Sequence, residues 1–140
     1  MPTLQTWFSA RPLLRRAEEK ESELKLTLEI RHLEQVSVVY CRGRVTYRDE
    51  AARLSSTLGD LLPQIRHLIL EMSEVETMDS AGLGELAVVL LWAQGYECDI
   101  KIAAPRPHVR NLLELTNLAS VVKIYPTLEE AMCSARRQAA

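Results

Sequence analysis

Apolar and polar residues alternate along the early part of the chain, and this pattern predicts two neighbouring strands. The alternating apolar residues are Leu24, Leu26, Leu28 and Ile30. Alternation of this kind is typical of a strand with one buried face. Glu34 and Gln35 separate it from a second apolar run over 36–41. We therefore expect an antiparallel hairpin, with Gly43 ending its second strand.

After residue 48 the pattern changes to helical periods separated by short apolar runs. Apolar residues recur at helical spacing over 49–62, 80–94, 107–117 and from Leu128 onwards. The runs between them predict strands over 67–72, 99–103 and 121–124. Thr127 and Glu130 have the spacing of a capping box, which supports a helix start near Leu128. Strands that alternate with helices predict an α/β domain with a mainly parallel sheet, and the hairpin makes the sheet mixed.

Length and composition fit one soluble domain with an N-terminal extension. The chain has 140 residues, of which 47% are hydrophobic and 26% charged, and this suits a single core. We assign residues 1–24 to the extension and residues 25–140 to the domain. Residues 1–17 contain three arginines and no acidic residue, which fits a transit peptide or a poorly ordered cytosolic tail. We favour the tail and predict a cytoplasmic protein.

Charge and cysteine usage exclude several classes of function. The net charge of −2 gives no basic face for nucleic acid. No apolar run approaches the roughly 20 residues of a membrane span. Cys41, Cys98 and Cys133 lie far apart in the sequence, which favours reduced, buried thiols over a metal site or a disulfide. We expect no metal, no cofactor and no nucleotide-binding motif of this chain's own.

The segment 78–84, Met-Asp-Ser-Ala-Gly-Leu-Gly, places a serine where a strand passes into a helix. Glycine costs about 1 kcal/mol relative to alanine inside a helix, so Gly82 and Gly84 make a poor helix start. A helix N-terminus stabilises an anion, and a phosphoserine brings about −1.5 to −2 charges. Ser80 is therefore a candidate phosphorylation site. Alternatively, Asp79 or Ser80 serves as the N-cap of this helix.

The helix predicted after Ser80 is apolar on nearly all sides. Its predicted core stripe contains Leu83, Leu86, Ala87, Leu90 and Leu91. Val88, Val89 and Trp92 lie outside that stripe, so either another element covers them or they form an exposed apolar patch. Val88 and Trp92 share a face with Glu85, and we expect that face to flank the serine.

A serine hydrolase is a remote alternative. Ser80, Asp99 and His108 occur in the chain order of a hydrolase triad. However, a nucleophile elbow has glycine two residues before the serine, where this chain has Met78. We therefore expect a non-enzymatic protein.

The strand over 67–72, the segment from Val75 to Gly84 and the apolar helix after it resemble the STAS domain. This family includes the bacterial anti-sigma factor antagonists and the tails of sulfate transporters, and the likeness covers about residues 25–138. In the family, the serine after the aspartate is phosphorylated, which identifies Ser80 here. Thr46 stands where members often have an acidic residue, and Asp49 is a nearby substitute. The partner-binding residues implied are Asp79, Ala81, Gly82, Leu83, Gly84, Glu85, Val88 and Trp92.

The resemblance implies a regulator that acts by binding. An unphosphorylated antagonist binds an anti-sigma factor that is itself a kinase of the serine/histidine-kinase-like type, and phosphorylation ends the binding. The partner would use ATP and this chain would not. The alternative is a STAS scaffold without a serine switch, in a signalling or lipid-transport complex. A homodimer is compatible with either function.

Overall fold

The structure is a computed structural model, and it describes residues 26–139. These residues form a five-stranded sheet in the order β1-β2-β3-β4-β5, in which β1 is antiparallel to β2 and the other neighbours are parallel. The strands are β1 Leu26–Leu33, β2 Val36–Val45, β3 His67–Met78, β4 Asp99–Ala103 and β5 Lys123–Tyr125. The α-helices are α1 Tyr47–Leu61, α2 Ser80–Gly95, α3 Pro107–Leu115 and α4 Leu128–Ala139. The mixed α/β fold is confirmed, whereas residues 1–24 lie outside the described residues.

Three helices share one face of the sheet because each crossover advances by one strand in the same direction. Right-handed crossovers between parallel strands then place α1, α2 and α3 on the same side. The large core confirms this arrangement, since it joins side chains of all three helices to one face of the strands. The opposite face packs on α4 through Ala131, Met132 and Ala135. The N-termini of α1, α2 and α3 all lie at the carboxyl edge of the sheet, where the parallel strands end.

The hairpin forms as predicted, although its turn residues are poor turn formers, and β2 does not end at Gly43 but continues to Val45. Leu33 pairs with Val36, and Glu34 between them adopts φ 59°, as two-residue hairpin turns require. The buried face of β1 is shorter than the alternation predicts. Leu26 is buried, but Ile30 is 37% exposed, because β1 is an edge strand and the helices pack over the central strands.

Strand β3 is twice as long as predicted. Its first part pairs with β2 and β4, and its last part, from Ser73 to Met78, continues along β2 beyond the end of β4. Side chains from the loop before α3 and from α3 itself supply the missing partner there: Arg106 donates to the Ser73 carbonyl at 3.0 Å, and the His108 ring bonds the Glu76 carbonyl. The hydrophobic pattern did not predict this part of β3, because most of its residues are polar.

Two smaller predictions were wrong for local reasons. Val121 and Val122 do not begin β5, because their N–H groups bond to the Leu118 carbonyl and close a 3-10 turn. Cys133 is exposed, while Cys41 and Cys98 are buried with thiol pKa values raised by burial to about 12 and about 11. Among the described helices, none combines the length and apolar character needed to cross a membrane.

Candidate phosphorylation site and partner surface

Ser80 lies at the carboxyl edge of the sheet, at the first residue of α2. Its side chain is exposed. The residue before it, Asp79, has extended backbone angles and is the N-cap: its Oδ1 accepts a hydrogen bond from Gly82 N–H at 3.0 Å. Because Asp79 performs the capping, the Ser80 hydroxyl is not needed for that role. The alternative in which Ser80 is the N-cap is therefore wrong.

The Asp79 carboxylate also holds a second helix. Its Oδ2 accepts a hydrogen bond from Tyr47 N–H at 2.9 Å, at the first residue of α1. Tyr47 has φ 59°, which lies in a backbone region that residues other than glycine rarely adopt. The hydrogen bond to Asp79 helps to hold Tyr47 in this conformation. One carboxylate thus joins the N-termini of α1 and α2. These backbone hydrogen bonds, with Tyr47 as the largest contribution, lower the pKa of Asp79.

The two glycines of the first turn have different surroundings. Gly82 is buried, and a Cβ built on it would lie 2.3 Å from the Val45 carbonyl oxygen and 2.9 Å from Met78 Cγ. Gly82 is therefore required so that α2 can begin directly against β2. Gly84 is exposed, and among the described residues no heavy atom outside its chain neighbours and the backbone of its own helix lies within 4 Å of its Cβ position. Internal packing explains Gly82 but not Gly84.

The exposed side of α2 is turned differently from the prediction. Leu83, Leu86 and Leu90 are buried as expected, but Leu91 is 66% exposed and Val89 takes its place in the core. With about 100° between successive residues, Ser80, Gly84, Ala87 and Leu91 lie along one line of the helix. We call these four residues together with Val88 the Ser80 face. It extends about 16 Å along α2.

Of the predicted flank, Val88 belongs to this face, whereas Glu85 and Trp92 lie to one side of it. The Trp92 ring packs over Gly59 of α1, and a Cβ built on Gly59 would lie 3.0 Å from Trp92 Cζ3. Trp92 nevertheless remains 42% exposed. Among the other predicted contact residues, Ala81 and Glu85 are half-buried, whereas Gly82 and Leu83 are buried. The buried pair can shape the surface but cannot offer side chains to a partner.

The sequence pattern did not identify a buried acidic residue near the start of α1. Glu50 is 1% exposed, and its Oε1 accepts hydrogen bonds from the Thr46 hydroxyl at 2.7 Å and from Thr46 N–H at 3.3 Å. Thr46 is the N-cap of α1, so this acid fixes the start of α1. Asp49, the substitute proposed for the family's acidic residue, is exposed in the same turn. The spacing of four residues from Thr46 to Glu50 is the signal that could have indicated the contact.

The hydrolase triad does not assemble. Asp99 is the first residue of β4 and pairs with His67, at the opposite end of β3 from Ser80. The two ends of β3 are about 36 Å apart, given a rise of about 3.3 Å per residue along a strand. The His108 ring is bonded to a backbone carbonyl. The chain order of the three residues therefore has no catalytic meaning.

The family follows from comparison of the sequence with known proteins. A STAS domain profile matches residues 13–131, which is most of the chain. The chain belongs to the STAS domain family. The match begins within the segment predicted as the N-terminal extension and includes both helices that meet at Asp79.

Two relatives and one solved structure are similar to this chain. A candidate anti-sigma factor antagonist of Thermotoga maritima is 37% identical over 71 residues, which are 51% of this chain and 63% of that protein. High affinity sulfate transporter 2 of Stylosanthes hamata is 34% identical over 76 residues, 52% of this chain and 12% of the transporter. An anti-sigma factor antagonist from Mycobacterium paratuberculosis superposes with a TM-score of 0.72 at 28% identity, covering 80% of this chain and 95% of that structure.

Proposed function

We propose that this STAS domain is a cytoplasmic anti-sigma factor antagonist, which binds an anti-sigma factor kinase and is switched off by phosphorylation at Ser80. The observation that carries the proposal is the exposed serine at the start of α2, beside an aspartate that already caps the helix. The mycobacterial structure, covered over 95% of its length, supports an antagonist that acts as one domain.

Electrostatics explain how one phosphate would act as a switch. The N-termini of α1 and α2 meet at Asp79, and each carries partial positive charge. A phosphate on Ser80 would be stabilised by these ends and would stand beside the Asp79 carboxylate. The Ser80 face would change from an apolar strip with a neutral hydroxyl into one headed by two adjacent anionic groups. A partner that packs on the apolar strip would then meet uncompensated charge.

The Ser80 face has the composition of a docking site. Leu91 and Val88 offer apolar contacts, and Gly84 allows the backbone of a partner to approach α2 closely. The partner's kinase site must also reach the Ser80 hydroxyl, and the position of Ser80 at the end of this strip places both requirements on one surface. We infer that binding and phosphorylation use the same face, so that a phosphorylated chain is released.

The direct test begins with the partner itself. The full chain is recovered from its own cells, its partner is identified, and the two purified proteins are titrated against each other. We expect Ser80→Ala to bind like the natural chain and Ser80→Asp to bind at least about tenfold more weakly, which is about 1.4 kcal/mol. Phosphatase should remove one phosphoryl group from the intact mass of the chain isolated from cells.

A second function is favoured by one specific comparison. The similarity to a sulfate transporter, of which the match covers 12%, indicates that sequences similar to this chain also occur within larger proteins. As a scaffold without a switch, the chain would bind its partner equally well with alanine or aspartate at position 80. That result would replace the antagonist proposal.

A further inference from the structure

Strand β1 presents a long edge that no strand within residues 26–139 covers. It is the terminal strand of the sheet and pairs with β2 along all of its eight residues. Part of its apolar surface remains exposed, since Ile30 is 37% and Leu33 is 39% exposed. An uncovered edge of this length is able to pair with another strand.

The hairpin determines which backbone groups point outward. In a two-residue hairpin the closing pair, here Leu33 and Val36, exchanges both hydrogen bonds, and such pairs alternate with non-hydrogen-bonded pairs. His32 and Ser37 form the next pair, and their side chains bond at 2.7 Å, as expected where side chains approach closely. The outward N–H and C=O groups of β1 therefore belong to Leu26, Leu28, Ile30 and His32.

Symmetry limits how β1 can pair with a second copy of itself. Residues opposed across an antiparallel pair lie on the same face of the sheet, so the symmetry axis must pass through a residue position. An axis at Glu29 opposes two glutamates, and an axis at Arg31 opposes two arginines. An axis at Ile30 places Glu29 of each copy opposite Arg31 of the other copy, which gives two such pairs. Larger shifts leave fewer residues paired.

We propose that β1 is a homodimer interface, in which two copies pair antiparallel about Ile30 and form a continuous ten-stranded sheet. In this register the outward backbone groups of Leu28, Ile30 and His32 all find partners. Glu29 and Arg31 occupy non-hydrogen-bonded positions, where side chains are closest. Both are exposed and already paired within one strand at 3.0 Å, so they can share two reciprocal ion pairs across the axis. Opposite charges directly across strands are stabilising, and like charges are destabilising.

The arrangement leaves both Ser80 faces accessible. The Ser80 face lies on α2, which packs against α1, β3 and β4, whereas the interface is the outer edge of β1. Because the two β1 strands run antiparallel, the carboxyl edges of the two copies face in opposite directions. A dimer would therefore bind one partner at each end. This inference does not depend on phosphorylation of Ser80.

Charge exchange in the full chain tests the register. Glu29→Arg alone and Arg31→Glu alone each place like charges across the axis, so we expect the dimer dissociation constant to rise at least about tenfold in either variant. An equimolar mixture of the two variants should form heterodimers, because each arginine then opposes a glutamate. Native mass spectrometry and sedimentation distinguish these species. Thermal unfolding of each variant controls for folding.

A disulfide tests the position of the axis. Ile30→Cys in a Cys133→Ser background should form an intermolecular disulfide, because hydrogen-bonded antiparallel partners have Cα atoms about 5.5 Å apart. His32→Cys in the same background is the matched control, since its two copies would be about 13 Å apart. Cys41 and Cys98 are buried with raised pKa values, so they do not compete. A natural chain that stays monomeric, a mixture that stays monomeric, or equal linking at both positions would overturn the proposal. Coverage of the edge by residues 1–25 would produce the first of these results.

Discussion

At the scale of single residues, Asp79 makes the hydrogen bonds that join the two helices of the site. It caps α2 and anchors the start of α1 with one carboxylate. This double role leaves the neighbouring Ser80 hydroxyl available for modification. The sequence predicted an aspartate or serine cap, since the strand and the helix are both visible in the pattern. It could not reveal the bond to Tyr47, because that contact joins positions 32 residues apart.

We predict that Asp79→Asn lowers the free energy of unfolding by about 1–2 kcal/mol at pH 7. The amide keeps one acceptor oxygen and loses the other, so one of the two helix starts loses its bond. Urea unfolding at several pH values measures the difference from the natural chain.

The pH dependence of that difference has a definite sign. The pKa of Asp79 is lowered in the folded state, so its stabilising contribution is fully present above the ordinary aspartate pKa of about 3.9. The contribution is lost as the pH falls through the folded value. The gap between the natural chain and Asp79→Asn should therefore narrow in acid. A gap that is constant from neutral pH to pH values below the folded pKa would contradict this role.

At the scale of secondary-structure elements, α2 shows which features a sequence pattern can identify. The helix itself was predicted closely, but its orientation was not, because apolar residues surround it and periodicity then gives no preferred face. The exchange of Leu91 for Val89 in the core is the consequence. For β3, polar residues after Met72 concealed a strand that continues along β2, since pairing to a neighbour is not encoded in local hydrophobicity.

The two glycines of α2 give a matched comparison. Gly82→Ala places a methyl group 2.3 Å from a backbone oxygen, so the chain should lose about 3 kcal/mol of stability. Gly84→Ala has open space and should gain about 0.5–1 kcal/mol from better helix propensity. Chemical denaturation of both variants measures the contrast. Equal effects would show that Gly82 does not define the contact between α2 and β2.

The partner surface is tested by two exposed leucines. Leu91→Glu on the Ser80 face should weaken partner binding about tenfold or more, because a charge then replaces an apolar contact. Leu115→Glu is the control: Leu115 is 83% exposed and lies at the end of α3, at the opposite edge of the sheet from Ser80. Titration of the purified partner measures both variants. Binding that is insensitive to Leu91→Glu would move the docking surface away from this face.

At the scale of the whole molecule, the alternation of strands and helices predicts a mainly parallel sheet, whereas the strand order is known only from the structure. Because β2, β3 and β4 are parallel, the N-termini of α1, α2 and α3 lie at one edge, and the strand order leaves β1 at the side of the sheet. The proposed partner binding and the proposed self-association would therefore use different surfaces. To identify the groups of β1 that can pair with a second copy, one must know the hydrogen-bond register of the hairpin. That register follows from the structure, in which Leu33 and Val36 close the hairpin. The sequence alone could not select it.

Control of partner binding by the phosphorylation state of Ser80 is tested by phosphoryl transfer from the purified partner. The full chain is incubated with its purified anti-sigma factor partner and Mg-ATP, the phosphorylated and unphosphorylated forms are separated, and each is titrated against fresh partner. We predict one phosphoryl group, located on Ser80 and absent from Ser80→Ala, and loss of binding in the phosphorylated form alone. Equal binding by both forms, or no phosphoryl transfer to Ser80, would show that Ser80 is not a phosphorylation switch.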